Sequence, residues 1–310
     1  NINKALNNDT VKVYIFKRKD RKDNISGEVV EIVKRAKHEY VGIIKKQKDF
    51  AFVITRGPKM YTDIFISSKE MKKAEEGDKV VVRLTEWPQK AQSPFGKIIE
   101  VLGKPGDLDV EMHAILFDYG LPYKFNDDII EIANKINRKV SQDEINKRRD
   151  FREVLTFTID PITAKDYDDA ISFKEINNDK YEIGIHIADV SHFVKENSIL
   201  DKEAYKRATS VYLVDRVVPM LPEILSNNLC SLRPKEEKYT FSAVFEVNKN
   251  GNICSEWFGK TIIKSDHRFS YEEIQEIIAK EIPEISKHIS LSNKSYTVPN
   301  ETYKAILILD

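Results

Sequence analysis

The stretch TIDPITAKDYDDAISF, residues 158–173, decides how the rest of this chain is read. Asp160, Asp166, Asp168 and Asp169 place four carboxylates within ten residues. A strand-like VLTFTI leads into the stretch and a second strand-like run leads out of it, so the acids sit at strand ends and not along a solvated helix face. Crowded carboxylates raise one another's proton affinity and cost electrostatic energy unless cations lie among them. Clustered oxygen ligands suit Mg²⁺, or Mn²⁺, and two such ions about 4 Å apart can activate water and stabilise the leaving oxygen in phosphodiester cleavage. The plain alternative is an acidic surface turn. A calcium loop of EF-hand type fails, because Ile162 and Ala164 stand where ligands are needed and the required glycine is missing.

Downstream, two alternating runs flank Asn177, Asn178 and Asp179. In the second, Tyr181, Ile183, Ile185 and Ile187 share one face, while Glu182, Gly184, His186 and Ala188 share the other. A β-hairpin beside the acidic loop is predicted. Helices are predicted over Leu200–Ala208 and Tyr271–Lys280, the second with Ser270 and Glu273 at capping-box spacing. Upstream, between Val11 and about Leu102, short β-branched and aromatic runs (VKVYIF, GEVVEIV, YVGII, FAFVIT, DIFIS, KVVVRL) alternate with charged turns, the pattern of a small barrel or sandwich. Turn formers gather at Leu102–Asp107, and helical runs follow through Arg148. The fold class read from this order is α+β: a β-barrel followed by a mixed α/β domain.

A length of 310 residues suggests roughly two domains. The formal net charge of zero conceals an asymmetry: residues 1–100 carry 22 Lys and Arg against 14 Asp and Glu, so a basic front precedes an acidic back. Such a pairing fits a polyanion-binding module joined to a part that wants cations, or simply two solvated surfaces. Cys230 and Cys254 form no CxxC and have no histidine at metal-ligand spacing, which argues against a disulfide framework or zinc ribbon and for a reducing, cytoplasmic setting. The longest aliphatic run, Ala305–Leu309, is far short of the roughly 18 apolar residues a membrane span requires, so a soluble protein is expected. The chain begins at Asn1 and stops within an apolar helical stretch, Tyr303–Asp310, as a fragment would.

The basic part sets Tyr40, Phe50, Phe52 and Phe65 among Lys45, Lys46, Lys48, Arg56 and Lys59. Phe50 and Phe52 would point to one face of a strand, where rings can stack on successive bases while lysines neutralise phosphates. Same-face aromatics can equally be core. Two histidines and a cysteine are set aside as chemistry. His186 shares a face with Gly184 and Ala188, as a packed, hydrogen-bonded histidine would, and His192 is not needed as a base in metal-assisted hydrolysis. Cys230 has no histidine near it in sequence and reads as buried packing. HExxH, GxSxG and GxxxxGK[ST] are all absent.

DPITAKDYDDA, HIADVSHFV at 186–194, LDKEAYKRATSVYLVDRVVPMLPEILSNNLCSLRP at 200–234 and FSAVF at 241–245 resemble, in order, the RNB catalytic domain of the RNase II and RNase R family, with YLVDRVVPMLPEILS nearer to bacterial RNase R. YVGIIKKQKDFAFVIT followed by DIFIS resembles a cold-shock domain of OB type, with Asp49 and Ala51 where that pattern has glycines. The resemblance implies four parts: residues 1–36 as the tail of a first cold-shock OB-like domain, 37–105 as a second, 106–150 as a helical connector, and 151–310 as the N-terminal part of the RNB domain. It implies a processive, metal-dependent 3′ to 5′ exoribonuclease that releases nucleoside 5′-monophosphates from single-stranded RNA. Asp160, Asp166, Asp168 and Asp169 match the metal-holding aspartates, and Tyr212 matches a tyrosine that stacks near the 3′-terminal nucleotide. Arg216 and Arg233 stand where they could meet phosphates, or form surface ion pairs. No protein partner is indicated. A catalytically silent RNA-binding protein with a structural acidic loop is the other reading.

Overall fold

The computed structural model describes residues 2–17, 25–55, 60–122, 124–214 and 216–310. The chain divides into two compact units, Asn1–Lys124 and Phe125–Asp310.

The first unit opens with an antiparallel hairpin, β1 (Thr10–Lys17) and β2 (Ile25–Lys34). Five strands then close into a barrel: β3 (Glu39–Lys46), β4 (Phe50–Ile54), β5 (Ile64–Ser67), β6 (Lys79–Glu86) and β7 (Phe95–Gly103). Their order round the barrel is β3-β4-β5-β7-β6, with β5 and β7 parallel and β6 closing on β3, the topology of an OB fold. Alternation does the sorting. Ile44, Ala51, Val53, Ile64, Ile66, Val80, Val82 and Ile98 are buried in the barrel core, while their neighbours in sequence lie outside that cluster; Val81, between two core valines, is buried as well. Gly42 is required by close approach, since a Cβ there would meet the Ile54 carbonyl at 2.6 Å.

The expected parts 1–36 and 106–150 do not fold as separate pieces. Leu6 is buried in the barrel core, and Asp9 holds Arg35 at 2.5 Å, which ties the leading segment to the barrel unit. Helix α1 (Leu108–Tyr119), capped by Asp107 and ended by Gly120 at positive φ, is also part of this unit, joined to β6 by Lys79–Glu111. The division therefore falls after Lys124. The turn formers at Leu102–Asp107 mark the end of a strand, because the helix that follows packs back onto the same barrel.

The second unit begins with α2 (Asp127–Asn134) and α3 (Gln142–Ile145). Its centre is a seven-stranded sheet made of β8 (Arg149–Phe151), β9 (Thr156–Asp160), β10 (Asp169–Asn177), β11 (Lys180–Ala188), β14 (Glu237–Asn248), β15 (Ile253–Lys264) and β16 (His267–Ser270), in the order β16-β9-β10-β11-β14-β15-β8. Between β11 and β14 lie α4 (Val190–Phe193), α5 (Ile199–Arg207) and a short hairpin, β12 (Val211–Tyr212) with β13 (Val217–Val218). Leu200, Leu221, Leu225, Leu229 and Leu232 pack on Phe151, Ala170, Ala188, Val244 and Ile263 to cover one face of the sheet. A second cluster joins Phe157 and Phe269 to α6 (Tyr271–Lys280) and α7 (Asn300–Leu309), which flank a small two-stranded pairing, β17 (Glu284–Ile285) with β18 (Tyr296–Thr297). Both halves of the capping box on α6 are present, Ser270 accepting from the Glu273 amide and Glu273 accepting from the Ser270 amide. The hairpin predicted around Asn177–Asp179 is β10–β11. No helix among the described residues is long and apolar enough to cross a membrane.

Candidate active site and nucleic-acid interface

Sheet geometry assembles the acidic group from two strand ends and the loop between them. Asp160 is the last residue of β9 and Asp169 the first of β10. The intervening loop is held from the 225–232 segment: buried Ser231 accepts from the Tyr167 amide at 3.1 Å and donates to the Lys165 carbonyl at 3.0 Å, and the Leu232 amide donates to the Tyr167 carbonyl at 2.8 Å. The Ala188 amide donates to the Asp168 carbonyl at 3.0 Å. Tyr167, between Asp166 and Asp168, packs against the core cluster.

The four carboxylates act on one another. Partial loss of hydration, then the charges of Asp166, Asp169 and Asp160, push Asp168 up to about 6, although the residue as a whole is exposed. Asp160 is also raised, first by burial, which outweighs a hydrogen bond from the Thr158 side chain, and then by Asp169 and Asp166, with Arg268 opposing. Asp160 is only 7% exposed, and its Oδ2 makes no well-formed hydrogen bond among the described residues; the side-chain donor beside its carboxylate is the buried Thr158 hydroxyl on the same strand and face. A buried, unsatisfied carboxylate oxygen among like charges is the feature a divalent cation would relieve. Among the described residues, no three acidic, histidine or cysteine side chains already converge as a cage.

Tyr212 stands on the short hairpin, well exposed at 65%, and its Oη donates to Asp166 Oδ2 at 2.9 Å. It is not a core tyrosine. Arg216 is half-buried near the tip of the same hairpin, its carbonyl accepting from the Leu213 amide. Arg233 is half-buried just beyond Ser231 and forms no ion pair among the described residues.

His186 is fully buried between Ser242 Oγ at 2.7 Å and Ser172 Oγ at 2.8 Å, with Phe151 edge-on, and burial takes it down to about 4. His192 lies beside Arg148 and Glu144. Burial pushes the Cys230 thiol up to about 12, so it is no nucleophile at neutral pH.

In the barrel unit, Phe50, Phe52 and Phe65 lie half-buried outside the core, with ring centroids 5.6 to 5.9 Å apart. A fourth ring joins them: Phe95 lies 5.2 Å from Phe65, because barrel closure sets β7 beside β5. Lys45 pairs with Phe52 across β3–β4 and so shares its face. Lys46 pairs instead with the buried Ala51, and its Nζ donates to the Ala74 carbonyl, which takes it off the aromatic face. Lys48 is exposed in the β3–β4 turn. Tyr40 belongs to the core, its hydroxyl donating to the Lys37 carbonyl. Arg56 and Lys59 lie outside the described residues.

Sequence reasoning missed Phe95, Ser231 and Arg268. Ser231 lies within NNLCSLRP, a motif quoted for its resemblance alone; Phe95 and Arg268 reach their partners across a barrel seam and a parallel strand pairing that local pattern does not carry.

Residues 148–303 match the model for the RNB domain, and residues 52–126 match that for a cold-shock domain. The chain belongs to the RNB family. It is 36% identical to Ribonuclease R of Thermotoga maritima over 254 residues, which is 81% of this chain and 36% of that one. Mycoplasma genitalium RNase R in its apo form superposes with a TM-score of 0.81 at 29% identity, over 91% of this chain and 44% of that one. That enzyme has also been solved with ribose-methylated single-stranded RNA and with double-stranded RNA. Yeast Ssd1, a pseudonuclease, shares the fold with a TM-score of 0.62 at 23% identity. The chain thus spans about two-fifths of the length of the relatives it matches. The order, a cold-shock OB barrel followed by an RNB domain, is that of RNase R.

Proposed function

We propose that this RNB chain belongs to a cytoplasmic 3′ to 5′ exoribonuclease that shortens single-stranded RNA and releases nucleoside 5′-monophosphates. The observation that carries it is the buried carboxylate of Asp160, with no well-formed hydrogen bond at Oδ2 among the described residues, within a group of four aspartates whose charges raise Asp160 and Asp168. Carboxylates in that state fit a divalent cation such as Mg²⁺ or Mn²⁺, held by Asp160, Asp166, Asp168 and Asp169. A bound pair of such ions supplies an activated water and neutralises the leaving oxygen. Tyr212, exposed and tethered to Asp166, offers a ring for the terminal base beside the acids. Arg233 offers a cation to phosphate, as does Lys45 next to the four phenylalanine rings in the other unit. RNA complexes of the Mycoplasma enzyme support RNA as the ligand class.

The test is end-labelled single-stranded RNA incubated with the longest polypeptide containing this chain. Stepwise shortening from the 3′ end with monophosphate release, only when Mg²⁺ or Mn²⁺ is supplied, is expected. Shortening that persists in chelator would overturn the metal reading, and RNA binding without any shortening would establish the silent RNA-binding protein instead.

A further inference from the structure

Between Asp160 and Asp166 the chain makes a turn, with the Ala164 amide donating to the Pro161 carbonyl at 2.9 Å. Strand β16 runs parallel to β9, with Arg268 level with Thr158 and Ser270 level with Asp160. Arg268 therefore rises on the face that carries Asp160, one pleat before it. Its Nη2 donates to the carbonyls of Pro161, Ile162 and Ala164 at 3.1, 3.1 and 3.4 Å, and its guanidinium lies 4.8 Å from the centroid of the Tyr167 ring. One planar cation thus grips the turn between the first and second aspartates and the residue between the second and third. A guanidinium suits both contacts, since the two N–H groups of Nη2 are shared among the turn carbonyls while its flat face rests on a ring; Nε is buried with no partner among the described residues.

We propose that Arg268 is a positioning residue for the acidic site: it fixes the Pro161–Ala164 turn against the Tyr167 ring and so sets the spacing of Asp160 from Asp166, Asp168 and Asp169 on which divalent-cation binding depends. The link to cation binding rests on the reading of the four aspartates made above; the restraint of the turn stands without it. A positive charge beside an acidic group has a competing effect, because it repels the incoming cation. Clamp and counter-charge therefore predict opposite signs when the charge is removed.

Two substitutions in the 310-residue chain, Arg268→Met and Arg268→Lys, separate them. Mn²⁺ titration followed by electron paramagnetic resonance is expected to show at least tenfold weaker binding in Arg268→Met, with Arg268→Lys between it and the parent, since an ammonium can reach carbonyls but has no flat face to stack. Hydrogen exchange is expected to be at least tenfold faster at the Ala164 and Tyr167 amides in Arg268→Met, with the β10 and β11 amides unchanged. Mn²⁺ binding as tight as the parent's, or tighter, overturns the role in cation binding, and unchanged exchange overturns the clamp. A parent chain that binds no Mn²⁺ sinks the metal reading alone, and exchange then decides the clamp by itself. Should Arg268→Met fail to fold, Arg268→Lys carries the same two measurements, with smaller changes of the same sign expected and none overturning the proposal.

Discussion

Asp168 is raised toward 6 because partial loss of hydration and three neighbouring carboxylates make ionising it cost more than in an open chain. The sign follows from linkage. A carboxylate whose folded pKa lies above its ordinary value near 4 contributes stability that is present below that value and lost as pH rises through about 6. In the metal-free chain, Asp168→Asn is therefore expected to melt higher than the parent at pH 7, with the gap closing toward pH 4; a variant that melts lower at pH 7 would place Asp168 outside the repelling group. The same substitution halves the oxygen ligands that the side chain offers a hard cation. Cleavage by the polypeptide containing this chain should fall by about 10²-fold or more, while RNA affinity measured without turnover stays equal or tightens. Near-normal cleavage would remove Asp168 from the reaction.

At the scale of elements, Arg148, just before edge strand β8, ties it to β15, β14 and the turn that follows β11. Its side chain is fully buried, donating from Nη2 to Asp189 at 2.7 Å and from Nη1 to the Thr240 and Thr261 carbonyls, with its guanidinium 4.4 Å from the centroid of the Tyr239 ring. Burial opposes ionisation of Asp189, but hydrogen bonds from Ser191 and Arg148 outweigh it and hold the carboxyl below its ordinary value. Arg148→Met leaves a buried carboxylate without its cation. Chemical denaturation should show a loss of about 3–5 kcal/mol at neutral pH, shrinking as pH falls and Asp189 takes up a proton. A loss under about 1 kcal/mol would mean that water reaches the pair. The same turn bears His192, whose neighbours explain its presence without a role in proton transfer.

For the whole molecule, the basic excess of the sequence falls in residues 1–124 and the acidic excess in residues 125–310, the barrel unit and the RNB unit. RNA held by cations on the barrel should bind less tightly as salt rises, with a log–log slope of about −0.7 per phosphate neutralised. Stacking adds about 1–3 kcal/mol per base, so Phe52→Ala and Phe95→Ala should each weaken binding by roughly tenfold without changing that slope. Filter binding across a salt series reads both quantities. Affinity indifferent to salt, or to Phe95→Ala, would leave the aromatic face as packing.

Alternation and spacing in the sequence determined the barrel strands, the β10–β11 hairpin, the capped α6 helix and the chemical character of the Asp160–Asp169 stretch, because period and charge crowding are properties of near neighbours. The segment 102–107 looked like a domain boundary for the same reason: turn formers report a turn and say nothing about where the next helix packs. The packed face of Gly184, His186 and Ala188 was legible too, but only the tertiary structure left Ile185 and Ile187 43% and 49% exposed, since leucines far along the chain cover the small-residue face and not theirs. Only it brought Phe95 to the aromatic group, turned Lys46 away, and set Ser231 and Arg268 on either side of the acidic loop. Those contacts join residues up to about a hundred positions apart, and the register of a parallel strand pair or a barrel seam is fixed by packing that no local pattern encodes.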